Sequence, residues 1–408
     1  MHSLRRCISA SAAALLLLCA GCSGGSAGAL QVRLNAGPAD APFDTPVHIT
    51  ASGLPPGGLV TLSARTRDSA GRPWESAAQF RASAAGTLNL ATAVPVSGSY
   101  HVADAAGLLW SLHPAFATGP DTQFRLGTTG FTVRLQVLAG GSVQAAATLV
   151  RRWSFATGPT VQTVARDGFA GTLYTPDRIR PGAPAVVVIG GSEGGEETFT
   201  AGALALLGYP ALALGYFQEP GLPTCLCGIP LEYFARAVRW LRTQPVAQGR
   251  PVVLWGASRG AEGALLIASY EPHLFDAVIA DSPSSLINGA FEGTGAAWTF
   301  HGQPLLGGDI PVGNIRVPLL IGDGGQDAVW DSAGSATDIV RELRGSGDRA
   351  PYTNLYYPGA GHAYTGAPPY IPYSGYGSRG ATHGGSVQAN ALATEQFWAK
   401  MITFINDV

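Results

Sequence analysis

The chemistry this chain can do is organised around Ser258. It lies in Gly256-Ala257-Ser258-Arg259-Gly260, after the apolar run Pro251-Val252-Val253-Leu254-Trp255 and before Ala261, Ala264, Leu265 and Ala268 at helical spacing. That order predicts a buried strand, a sharp turn and a helix. The two glycines allow a tight backbone, and the serine is left at the apex with its hydroxyl outward. A serine hydroxyl attacks a carbonyl only when a base takes its proton, and that base needs a carboxylate to orient it. On a doubly wound sheet the three groups follow in the chain as serine, acid, histidine.

Both partners are present downstream, in that order. The apolar run Val317-Pro318-Leu319-Leu320-Ile321 leads into Gly322-Asp323-Gly324-Gly325-Gln326-Asp327, a loop expected at the carboxyl edge of the sheet. Asp327 is the expected acid; Asp323 is close enough to the strand to serve as a turn former, and Asp331 lies farther on. Leu355-Tyr356-Tyr357 then runs into Pro358-Gly359-Ala360-Gly361-His362, so His362 is the expected base. His383 is its rival and reads as a surface histidine. An acyl transition state also needs donors for the developing oxyanion. The Arg259 backbone N–H supplies one, and an amide of Gly190-Gly191-Ser192-Glu193-Gly194-Gly195, at Ser192 or Glu193, supplies the other. That loop contains neither GxGxxG nor GxxxxGK, which argues against a nucleotide site. The long segment from Ser284 to Arg316 is a candidate lid or binding wall, with Phe291, Trp298 and Phe300 as acyl-channel or packing residues.

The elements that must position these groups are legible from about Gly158-Pro159 onward. A hairpin (Val161 to Ala165, Gly171 to Tyr174) precedes continuous apolar strands at Ala185 to Ile189, Pro210 to Leu214, Val252 to Trp255, Ala277 to Ala280, Pro318 to Ile321 and Asn354 to Tyr357. Strands apolar on both faces need helices on both faces, which means a mostly parallel sheet. Leu231, Phe234, Ala235, Val238 and Leu241 stripe one helix; Phe397, Met401, Phe404 and Ile405 stripe the last. Residues 31–155 follow a different grammar. Short alternating strands such as Val47 to Thr50, Leu59 to Ala64, Trp74 to Phe80 and Phe131 to Leu138 are separated by turn signals, as in an immunoglobulin-like β-sandwich.

The chain has 408 residues, 55 glycines, 29 prolines and a formal net charge of -2, enough for two cores and without the basic footprint of a nucleic-acid binder. Arg5 and Arg6, the apolar stretch Ile8 to Leu18 and Cys19-Ala20-Gly21-Cys22 read as an export signal over 1–21, followed by a 22–30 linker. Ala-Gly-Cys resembles a lipoprotein processing site, with Cys22 the lipidated residue and the only membrane attachment; plain secretion is the alternative. Cys225 and Cys227, separated by Leu226 alone, read as small buried loop residues or reduced thiols. No His/Cys spacing suggests a metal, and no cofactor is expected.

Taken together these motifs resemble the acyl-CoA thioesterase and bile-acid-CoA:amino-acid N-acyltransferase family. The resemblance rests on Asp44-Thr45-Pro46-Val47, Ser52-Gly53-Leu54-Pro55-Pro56, Gly107-Leu108-Leu109-Trp110-Ser111-Leu112, Ile229-Pro230-Leu231-Glu232-Tyr233-Phe234, the turn at Ser258, Asp327-Ala328-Val329-Trp330, Tyr357-Pro358-Gly359-Ala360-Gly361-His362 and Pro368-Pro369-Tyr370. It implies a sandwich domain followed by an α/β-hydrolase domain over 160–408, with Ser258, Asp327 and His362 as the triad. It also implies a choice between hydrolysis and aminoacyl transfer; serine in place of cysteine at the turn points to hydrolysis of acyl-CoA. An exported carboxylesterase or thioesterase on non-CoA acyl groups is the alternative, and a noncatalytic surface-binding protein is an alternative of another class.

Overall fold

The computed structural model describes residues 31–408 apart from 118–121, 128, 154–159, 167, 348–349, 363–368, 373–376 and 379–380. The export segment, Cys22, the linker and the Gly158-Pro159 break therefore lie outside the described residues.

Alternation decides the first part of the chain. Leu59–Arg67 buries Val60, Leu62, Ala64 and Thr66 and turns the residues between them outward. Among the described residues, two sheets result. One, of three strands, is built on Arg33–Gly37, His48–Ser52 and Leu88–Asn89; the other, of seven, centres on Leu59–Arg67, Pro73–Arg81, Gly130–Ala139 and Ser142–Arg152.

The second part is a mostly parallel sheet accompanied by helices. Its strands are β1 Thr160–Arg166, β2 Phe169–Thr175, β3 Ala185–Ile189, β4 Ala211–Gly215, β5 Val252–Ala257, β6 Ala277–Asp281, β7 Leu319–Gly324 and β8 Tyr352–Tyr357. They form one eight-stranded sheet in the order β1-β2-β4-β3-β5-β6-β7-β8, antiparallel at β1-β2 and β2-β4 and parallel from β4 onward. Helices α1 Thr198–Leu206, α2 Glu232–Thr243, α3 Arg259–Tyr270, α4 Ser332–Gly345 and α5 Val387–Asn406 accompany it. The expected strands fall within a few residues of these bounds.

Neighbouring residues of one strand enter different cores. Val187 and Leu254 join Phe234, Leu241 and Leu265 on one face, while Val188 and Trp255 join Leu204, Phe397 and Met401 on the other. The second core continues into the sandwich, through Val60 and Val133. Phe43 meets the edge of Trp398 at 5.4 Å, and Trp153 meets Phe199 at 5.4 Å. From Val32 to Val408 the chain is accordingly one compact unit.

Two readings change. Asp323 is not a turn residue: β7 runs three residues past the apolar run, pairing as far as Gly324 with Tyr357, and Asp323 is buried within it. Cys225 and Cys227 are not thiols but a disulfide. The intervening Leu226 is fully buried and exchanges both backbone hydrogen bonds with Phe291 (3.2 and 3.0 Å), which holds the two cysteines on the same side of the loop.

Candidate active site

The turn after β5 is strained where the serine sits. Ser258 has φ 55° and ψ −120°, a region that costs a non-glycine residue of the order of 1–3 kcal/mol and persists only when its surroundings impose it. They do so here. The Ser258 N–H donates to the Asp281 carbonyl at the end of β6 (2.8 Å), and the Ser258 carbonyl accepts from Ala261 and Glu262 at 2.9 and 3.1 Å. A Cβ on Gly256 would collide with the Gly260 carbonyl, and one on Gly260 with the Gly190 carbonyl. Both glycines of the motif are therefore required by close approach.

Around that serine the structure assembles the acid and base that the chain order predicts. His362 Nε2 lies 2.8 Å from Ser258 Oγ, and His362 Nδ1 lies 2.8 Å from Asp327 Oδ2. The other Asp327 oxygen accepts the backbone N–H groups of Val329 (2.9 Å) and Trp330 (3.2 Å), so the carboxylate is satisfied on both sides. The Asp327 side chain is 1% exposed and that of His362 7%, which shields their hydrogen bond from water. The Trp330 ring stands edge-on to His362 at 5.1 Å and its indole N–H donates to the Ser282 carbonyl at 3.1 Å. The Gly361 N–H donates to Asn390 on α5 at 2.8 Å, tying the histidine loop to the last helix.

His383 is partly buried beside His362 instead of standing free on the surface. Its carbonyl accepts the N–H groups of both His362 (2.7 Å) and Ala328 (3.2 Å), so one residue links the base loop to the acid loop. Its ring lies 5.7 Å from that of His362, and burial, reinforced by His362, pushes its pKa down. Sequence offers no signal for this role, because it is played by the backbone.

Arg259 heads α3, where a backbone N–H has no carbonyl one turn earlier to bond. Across from it, Gly191 lies directly against the serine: a Cβ there would be 3.2 Å from Ser258 Cβ and 2.8 Å from a Glu193 carboxylate oxygen. The carbonyls of Gly190 and Gly191 both accept from the Tyr216 hydroxyl, at 2.7 and 3.2 Å, which fixes the loop carrying Ser192 and Glu193. A cavity of about 220 Å³ opens beside Ser258, walled by Gly191, Glu193, Glu197, Thr200, Trp255, His362 and His383 among others. Sequence reasoning reached Glu193 only for its backbone amide and missed the side chains of Glu197, Thr200 and Trp255.

The segment from Ser284 to Arg316 is anchored through a buried carboxylate. Glu262, fully buried on α3, accepts from the Asn288 N–H (2.9 Å), the Asn288 amide (3.0 Å) and the Trp298 indole (2.9 Å), and pairs with Arg259 at 3.0 Å. Burial raises the Glu262 pKa despite the guanidinium beside it. Trp298 is thus a core residue, stacked on Tyr216 at 5.7 Å, and Phe300 packs on Tyr270 at 4.9 Å. Glu262→Ala leaves the buried Arg259 guanidinium without its counter-charge, with only the Asn288 and Gly289 carbonyls to accept from it, and the expected loss is about 3 kcal/mol in urea unfolding. An unchanged midpoint would mean that the network contributes nothing to stability.

The profile "Acyl-CoA thioester hydrolase/BAAT N-terminal region" matches residues 44–166, and "BAAT / Acyl-CoA thioester hydrolase C terminal" matches 229–303 and 288–408. Mouse mitochondrial acyl-coenzyme A thioesterase 2 is 30% identical over 89% of this chain and 86% of its own length. Human acyl-coenzyme A thioesterase 1 is 29% identical over 89% of this chain and 93% of its own. Among solved structures, a dienelactone hydrolase homologue from Klebsiella pneumoniae aligns with TM-score 0.44 and 15% identity, over 61% of this chain and 98% of that one. With both profiles matched and relatives aligned along nearly its whole length, the chain belongs to the acyl-CoA thioester hydrolase/BAAT family.

Proposed function

We propose that this chain is a serine-dependent acyl thioester hydrolase, with Ser258 as nucleophile, His362 as general base and acid, and Asp327 as the group that orients His362. The observation that carries the reading is the unbroken hydrogen-bond chain from Ser258 Oγ through both nitrogens of His362 to Asp327. As Oγ attacks the thioester carbonyl, its proton passes to Nε2. The tetrahedral oxyanion is held by the Arg259 N–H and by an amide at Ser192 or Glu193. The carbon–sulfur bond then breaks, and the thiolate takes the proton from His362. Water attacks the acyl-serine while giving a proton to Nε2; the acyl–oxygen bond breaks, Oγ recovers the proton, and the free acid leaves.

Acyl-CoA is the substrate class suggested by the relatives' names. A second reading, an exported hydrolase acting on other acyl groups, is supported by the export-type N-terminus and by the Cys225–Cys227 disulfide, since disulfides persist in oxidising compartments. On that reading Cys22 carries a lipid anchor. A fluorophosphonate probe is expected to label Ser258 and to leave Ser258→Ala unlabelled, and purified enzyme is expected to release free thiol from an acyl-CoA panel. Thiol release by Ser258→Ala at the wild-type rate would overturn the serine mechanism. Turnover of simple acyl esters with every CoA thioester inert would select the second reading, and failure of the probe would favour a binding protein.

A further inference from the structure

One buried hydroxyl sits beneath the loop that supplies the second oxyanion donor. Tyr216 follows β4 and is 1% exposed, and its O–H is shared between the carbonyls of Gly190 (2.7 Å) and Gly191 (3.2 Å). The next residue holds the far end of the same loop, since the Gly195 N–H donates to the Phe217 carbonyl at 3.0 Å. The peptides after Gly190 and Gly191 are trans, and in a planar trans peptide the C=O and the N–H point opposite ways. Carbonyls drawn to Tyr216 therefore turn the N–H groups of Gly191 and Ser192 away from it, as successive amides do in a backbone anion cradle. Among the described residues neither N–H has a hydrogen-bond partner, and Gly191 stands directly against Ser258.

The same tyrosine connects to the first donor. Its ring stacks on Trp298 at 5.7 Å, the Trp298 indole donates to Glu262 at 2.9 Å, and Glu262 pairs at 3.0 Å with the side chain of Arg259, whose backbone N–H is that donor. Burial pushes the Tyr216 pKa up, so the hydroxyl stays a neutral donor. We propose that Tyr216 is a positioning residue for acyl transfer: by holding the Gly190 and Gly191 carbonyls, its hydroxyl makes the Ser192 N–H the second oxyanion donor. Glu193 is not selected, because its N–H belongs to the next peptide, whose carbonyl Tyr216 does not hold. The inference rests on Ser258 being the nucleophile and is independent of the acyl and leaving groups.

The test compares Tyr216→Phe with the wild-type full chain on octanoyl-CoA and on p-nitrophenyl butyrate, so that either substrate class reports. The variant keeps the ring against Trp298 and loses only the hydroxyl. Its kcat is expected to fall about thirtyfold, short of the roughly 10²–10³-fold cost of losing a donor outright, with KM unchanged. Octyl trifluoromethyl ketone captures the nucleophile: the Oγ–carbon bond forms, the carbonyl electron pair becomes an alkoxide in the oxyanion site, and the Oγ proton passes to His362. It is expected to bind more weakly by the same factor, whereas octyl methyl ketone, which does not form that adduct, binds as before. The pH profile keeps its shape, because the group removed is neutral. Tyr209→Phe is the control: it deletes a buried hydroxyl that donates to Asn406 on α5 at 2.6 Å, and it is expected to leave kcat and both affinities unchanged. Wild-type kcat in Tyr216→Phe, or equal weakening of the two ketones, overturns this inference alone, as does a matching loss in Tyr209→Phe. A wild-type chain that neither labels with fluorophosphonate nor hydrolyses either substrate overturns the serine reading and the inference with it.

Discussion

Ser258→Ala and His362→Ala are each expected to lower kcat for thioester hydrolysis by about 10⁶-fold, and the double variant is expected to lose no more than either single one. The magnitude follows from the geometry. Among the described residues, the base that Ser258 Oγ hydrogen-bonds is His362, at 2.8 Å. Without the imidazole the hydroxyl keeps its proton, and without the hydroxyl the imidazole has nothing to activate at the carbonyl. The two therefore act as one unit, and additive losses in the double variant would show that they do not. Asp327→Asn is expected to be milder, about 10⁴-fold, because the side chain stays in place but no longer fixes the imidazole tautomer. Single-turnover release of thiol, followed with a thiol reagent, reads all four variants. Far-ultraviolet circular dichroism checks that each has folded.

How far the site could be read in advance depended on whether its signal was local. The turn at Ser258 was legible because strand, glycines and helix are contiguous, and the strained φ is a property of those residues. The order of acid and base followed because each stands at the carboxyl end of its own strand. What could not be read was set by contacts between distant segments. Asp323 resembled a turn residue beside Gly322 and Gly324, yet pairing with β8 extends β7 and buries it. His383 acts through a carbonyl, and every residue type has one. The cysteines are bonded because Leu226 between them pairs with Phe291, some 65 residues away. Glu262 stands in an otherwise apolar helix stripe, and its three hydrogen-bond donors lie on Asn288 and Trp298, in the segment read as a lid or binding wall with Trp298 left open between channel and packing. The cavity wall was missed for the same reason: Glu197 meets Gly190 only once α1 docks.

Asp323 gives the stability of the fold a definite pH dependence, and Asp323→Asn is expected to remove it. The residue is 1% exposed in β7, its Oδ2 has no hydrogen-bond partner among the described residues, and burial, with Asp331 adding repulsion, pushes its pKa from 3.8 up to about 7. Asn354 on β8 offsets only part of this. Between pH 3.8 and about 7 the native chain holds a proton here that the unfolded chain has released. Stability therefore falls as pH rises across that window: the favourable contribution is complete below the unfolded pKa and lost once pH passes the folded one. A shift of about three units corresponds to about 4 kcal/mol at most. Asparagine keeps the shape and carries no charge at any pH, so the variant should match the wild type near pH 4 and exceed it by up to that amount near pH 8. Because the other buried acids are common to both chains, the difference between the two urea midpoints isolates this carboxyl. Parallel profiles for wild type and variant between pH 4 and 8 would mean that Asp323 ionises in the folded protein as easily as in the unfolded chain, and that β7 tolerates a buried charge four residues before Asp327.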